Sequence, residues 1–186
     1  LIVLIVYAIW ATAIFHKVEV EKTVFPETKI AYVTFVGDYS QAYKQTAIVE
    51  NAIKSKYNVD WSREPCFGIY YDDPRKVDKN QCRCIVGKII PDNFTEKKAP
   101  ENVTFDVIPR IEPIFQIEYP LRSFLSIFAG MSRAYSALNN YTQQNKAEIK
   151  TAMLEVYGYK GCEILFAGSP SEGTGLWKEY PKEKNE

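Results

Sequence analysis

The chain has 186 residues, enough for one good core or two small domains. Its 23 basic residues balance 23 acidic ones, so it lacks the basic excess of a protein built to grip a polyphosphate backbone, and nucleic acid is not an expected partner. Four cysteines are too few for a disulfide scaffold of this length.

Residues 1 to 15 carry no charge. The run is shorter than the ~20 residues that span a bilayer. With no initiator Met, it reads as the trimmed end of a longer apolar helix, with a signal-peptide core as the rival reading. His16, Lys17 and Lys22 follow, and that basic flank favours a cytosolic C-terminal side. We therefore assign 1–17 as a membrane-anchor remnant, 18–168 as a folded domain and 169–186 as a flexible polar tail.

Val18 to Phe25 alternates and reads as a short strand or extended linker, stopped by Pro26. Lys29 to Val36 is a strand, ended by Gly37-Asp38. Ser40 is placed to cap a helix running to about Tyr57, with Ala42, Val49, Ala52 and Ile53 on one face. Phe67 to Tyr71 is rich in aromatic and β-branched residues and is stopped by Asp72-Asp73-Pro74. Cys82 to Ile90 returns as its partner strand. Cys82 and Cys84 alternate, so they read as small apolar side chains on one face rather than as a zinc site.

Pro91 to Pro100 is polar and linker-like, and Thr104 to Ile108 reads as a short strand. Ile114 to Tyr119 alternates clearly. Pro120 is expected to open the next helix. Leu121, Phe124, Leu125, Phe128, Met131, Tyr135 and Leu138 form its apolar stripe, and it ends near Asn145. Met153 to Tyr157 and Cys162 to Ala167 then pair as a hairpin around Gly158 to Gly161. Residues 30–90 and 114–167 thus share the order strand, helix, strand, strand, at an offset of roughly 85 residues. The expected fold is α+β: a duplicated βαββ unit with two helices on one face of a mostly antiparallel sheet, preceded by an N-terminal apolar membrane-anchor helix.

The doubled unit resembles the gyrase-inhibitory-protein-like (GyrI-like) domains. Ile69-Tyr70-Tyr71-Asp72-Asp73-Pro74 and Cys82-Arg83-Cys84-Ile85-Val86-Gly87 resemble the testis-expressed ER-phagy receptor family more specifically. Tyr119-Pro120, Leu125-Ser126-Ile127, Arg133, Ala137-Leu138, Tyr141 and Leu154-Glu155-Val156-Tyr157 are similar too. The resemblance implies an adaptor of the endoplasmic reticulum membrane with a cytosolic domain. It also implies autophagy modifier proteins as partners, recruited through a tail outside this chain. Asn93, Asn102 and Asn140 head Asn-x-Thr sequons, which would instead suit a lumenal domain.

Wider GyrI-like domains include drug sensors that hold flat or cationic ligands in an aromatic groove over a buried Glu. That resemblance gives the alternative function, a small-molecule binder for a planar, cationic or haem-like ligand. Glu155 lies on the corresponding late strand, on the same side as Met153 and Tyr157. Glu118 shares a side with Gln116 on the matching strand of the other half, and Tyr70 is placed to complete the lining. The candidate ligand-binding residues are therefore Glu155, Tyr70, Glu118 and Tyr157. A Glu-based hydrolase is a weaker alternative. No metalloprotease, nucleophile-elbow or phosphate-loop motif is present, so the expectation is a non-enzyme with no metal and no cofactor.

Overall fold

A computed structural model describes residues 2–161 and 163–181. A short helix α1 (Ile2–Thr12) leads into strands β1 (Glu21–Phe25) and β2 (Thr28–Val36). A 3-10 turn (Tyr39–Gln45) and helix α2 (Thr46–Tyr57) follow, then β3 (Cys66–Tyr70) and β4 (Arg83–Ile89). The second half comprises β5 (Thr104–Ile108), β6 (Ile111–Pro120), α3 (Phe124–Gln144), β7 (Met153–Tyr159) and β8 (Glu163–Gly168). The strands form one sheet in the order β1-β6-β8-β7-β3-β4-β2-β5, and every neighbouring pair is antiparallel.

Two short connections bend this sheet. Only Pro26 and Glu27 separate β1 from β2, and only Pro109 and Arg110 separate β5 from β6. Each pair of strands is six places apart in the sheet order. In a flat sheet that is about 29 Å, at ~4.8 Å per strand. A two-residue link reaches only about 10 Å. The sheet therefore curls into a half-barrel, and its two edges approach each other.

Curling gives the sheet an inner and an outer face. Alternation sends Ile30, Tyr32, Phe67, Ile69, Leu154 and Val156 inward, where they pack with Phe25, Ile108 and Ile111 from the closing edges. The outer face carries both helices. Helix α3 covers Phe115, Ile117, Tyr119, Ile164 and Phe166, while α2 covers Ala31 through Val49 and Ile53.

Several expectations are corrected. The helix expected from Ser40 opens as a 3-10 turn capped by Asp38, which accepts from the Ser40 N–H at 2.9 Å. Pro120 ends β6 rather than opening α3, and Ser123 caps that helix in a reciprocal pair with Ser126. The fold class changes as well, because the sheet has eight strands, is antiparallel throughout and is curled.

The expected N-terminal membrane span is not found among the described residues. At 1.5 Å per residue, the 11 residues of α1 make about 16 Å, roughly half a hydrocarbon core of ~30 Å. No helix among the described residues is long and apolar enough to cross a membrane. The end of α1 is instead bonded to the domain. The Trp10 carbonyl accepts from Arg122 at 3.3 Å, Ala11 from Ser123 Oγ at 2.8 Å, and Thr12 from the Tyr119 hydroxyl at 2.7 Å. These donors satisfy carbonyls that a helix end leaves without internal partners.

Within the stretch expected to be a flexible tail, Leu176 and Trp177 are buried in a 3-10 turn. The Trp177 ring meets Phe25 of β1 edge-on at 5.5 Å, and its indole N–H donates to the Pro109 carbonyl at 2.7 Å. One side chain thus ties both short links together. The end of that expected tail, residues 182–186, lies outside the described residues. Trp177→Ala is expected to lower stability by about 3–5 kcal/mol, as for other large buried aromatics. Urea denaturation tests this, and a loss below about 1 kcal/mol would mean that the segment does not hold the edges together.

Candidate functional site

The outer face has a seam where β3 of one half pairs with β7 of the other. Glu155 sits on that seam, opposite Gly68 on β3 and Phe166 on β8. Its neighbours Leu154 and Val156 point into the barrel, so strand alternation sends Glu155 outward, under α3. It is only 3% exposed.

Phenols supply its partners. Tyr135, from α3, donates to Oε1 at 2.7 Å. Tyr157, two residues on along β7, donates to Oε2 through a short bond. Tyr70 of β3 also reaches the carboxylate. Burial raises the Glu155 pKa above its ordinary 4.5, and the hydroxyls of Tyr157, Tyr135 and Tyr70 pull it back down. The same burial, together with the charge on Glu155, raises all three tyrosines well above 10. No Lys, Arg or His among the described residues forms an ion pair with Glu155. It is a buried carboxylate held by neutral donors alone, a costly arrangement that a cation would relieve.

Gly68 shapes the floor of the seam. A Cβ there would lie 2.8 Å from the Tyr70 ring. With no side chain at that position, Tyr70 folds across the backbone towards Glu155. Tyr39 stacks edge-on against Tyr70 at 4.8 Å, and Phe166 lies 5.9 Å from Tyr135. Cys84, paired with Tyr70 across β3 and β4, is a buried thiol pushed up to about 12 by burial. It belongs to the packing of the seam, and an unreactive thiol suits that place.

Three of the four sequence candidates meet here: Glu155, Tyr70 and Tyr157. Glu118 does not. On β6, Phe115, Ile117 and Tyr119 face α3, so alternation turns Glu118 to the other side, where it accepts from Lys160 at 2.5 Å. Sequence reasoning missed Tyr135 as a site residue because it reads as one more apolar position on the α3 stripe. The signal was its hydroxyl, since a tyrosine facing a core needs a polar partner.

A family model of the GyrI-like small molecule binding domain matches residues 18–112, just over half of the chain. This chain belongs to that family. A human protein, Testis-expressed protein 264, is 30% identical over 86 residues, which are 42% of this chain and 27% of the human protein. The chain thus matches about a quarter of that relative's length. Among solved structures, the GyrI-like domain is similar to EcmrR in a cryo-EM EcmrR–DNA complex, with a TM-score of 0.59 and 19% identity. That match covers 84% of this chain and 58% of the EcmrR chain. The crystal structure of the EcmrR C-terminal domain gives a TM-score of 0.56 at 16% identity, covering 82% of this chain and 97% of that one. At these identities the likeness is one of fold.

The raised pKa of Glu155 makes a prediction about the GyrI-like domain. Folding takes up a proton between the ordinary value of 4.5 and the raised one. The stabilisation is full below the ordinary value and is lost as pH rises through the raised value. Glu155→Gln lacks this loss, so its stability relative to the native protein should climb with pH across that window. Denaturation at matched pH values from about 4 to about 8 measures the difference, and a flat difference contradicts the assignment.

Proposed function

We propose that this GyrI-like domain is a small-molecule receptor module whose ligand is a planar organic cation held over Glu155. One observation carries the reading: a buried carboxylate on the seam between the halves has phenol donors and no ion-pair partner among the described residues. In a low-dielectric site, an ammonium or pyridinium group interacts with a carboxylate far more strongly than in water. Tyrosine rings add cation–π attraction.

The arrangement also suggests how the site opens. Tyr70 and Tyr135 reach the carboxylate from two different elements, β3 and α3. If the Tyr70 ring swings out, the bare backbone at Gly68 becomes a flat floor beside Glu155. A planar ligand fits that surface better than a branched one. The phenols hold the carboxylate in the empty site and give way to the ligand's charge. We read the module as a binder rather than an enzyme, because both carboxylate oxygens are already engaged by donors of high pKa. The receptor and membrane roles implied by the sequence resemblance form no part of this proposal, since the human relative is matched over 27% of its length.

Thermal-shift and fluorescence titration with a panel of planar cationic dyes provide the test. Saturable binding is expected, weakened at least ~10-fold by Glu155→Gln, which corresponds to about 1.4 kcal/mol. Equal affinity in the variant, or no binding by any dye, would overturn the reading.

A further inference from the structure

A cavity of about 570 Å³ lies at the same end of β3 as the Glu155 site but on the opposite face of the sheet. Tyr70 turns outward to Glu155, so the next residue, Tyr71, turns inward and lines this cavity. Arg83, Lys150, Lys178, Glu179 and Tyr180 line it with Tyr71. We propose that this cavity binds a planar organic anion, at a site separate from Glu155.

The sign of the charge comes from the lining. Three cationic side chains face one carboxylate, Glu179. Arg83 is matched by Asp72, to which it donates from Nε at 2.9 Å and from Nη2 at 2.8 Å. That fork fixes the guanidinium over the Tyr180 ring, 5.7 Å from its centre. Lys150 lies 3.3 Å from Glu172, but both partners are about half exposed or more, and such pairs contribute little. Lys178 has no ion-pair partner among the described residues. Lys150 and Lys178 are therefore the two ammonium groups open to a ligand's negative charge.

The shape comes from the tyrosines. The Tyr71 and Tyr180 rings meet edge-on at 5.4 Å and form an apolar wall. The Tyr71 hydroxyl is committed to the Leu176 carbonyl at 2.9 Å, so Tyr71 offers its ring to the cavity and not its polar end. A flat aromatic body against that wall, with its anionic group between the lysines, uses both the tyrosine rings and the two ammonium groups. The volume lies within the range that accommodates small organic ligands. A cation is disfavoured here by the same lysines, so the two faces of the sheet select opposite charges.

Calorimetric titration with 1-naphthyl phosphate tests the proposal, with 1-naphthol and inorganic phosphate as the uncharged and ring-free arms. Saturable one-to-one binding is expected for 1-naphthyl phosphate, with both other arms at least ~10-fold weaker. The double variant Lys150→Glu/Lys178→Glu should weaken it at least ~10-fold, whereas Glu155→Gln should leave it within about twofold. Both lysines are exposed, so the double variant keeps the fold, and Lys150→Ala/Lys178→Ala provides a milder check. Undiminished binding in the double variants, or no saturable binding, overturns the site. So does inorganic phosphate binding as tightly as the naphthyl ester.

Discussion

Two connections of two residues each govern this molecule. They join strands that stand six places apart in one sheet, and chain length alone forbids a flat arrangement. Curvature therefore sets the packing. Once the sheet is bent, one face must be small and apolar, and the other must be wide enough for two helices. Trp177 sits where the two links converge and fills the gap between the closing edges.

The same constraint explains where the charged chemistry lies. The inner face carries the aliphatic and aromatic core, with charged side chains gathered at the cavity beside Tyr71 and Tyr180. The outer face is covered by helices over its flanks, with the seam of β3 and β7 between them. Glu155 occupies that seam, with one phenol each from β3, β7 and α3. A buried carboxylate with only neutral partners is less stable than an apolar side chain of similar size would be. The proposed ligand site rests on its place at the join of the two halves.

Much of the chain order is legible from local pattern. Alternation locates β2, β6 and β7, and the apolar stripe locates α3 to within a few residues. The order strand, helix, strand, strand recurs in both halves for the same reason. Boundaries that depend on a cap were less legible: Asp38 caps the 3-10 turn and Ser123 caps α3, where the sequence pointed to Ser40 and Pro120. The apolar start misled more seriously. Its composition resembles a bilayer segment, yet no described helix is long and apolar enough to cross a membrane, and the last carbonyls of α1 are held by Arg122, Ser123 and Tyr119.

By itself, the sequence determined which residues lie on a common side of each strand, because side-chain direction has a period of two. That was enough to put Glu155 with Tyr157 on one side of β7. It was not enough to place Glu118, since the face of β6 that meets α3 is decided by packing between elements far apart in the chain. Nor did it reveal Tyr135 as a ligand of the carboxylate, or Trp177 as the closure of the barrel. Both depend on contacts across the curled sheet and its helices, and local patterns do not encode how far a sheet bends.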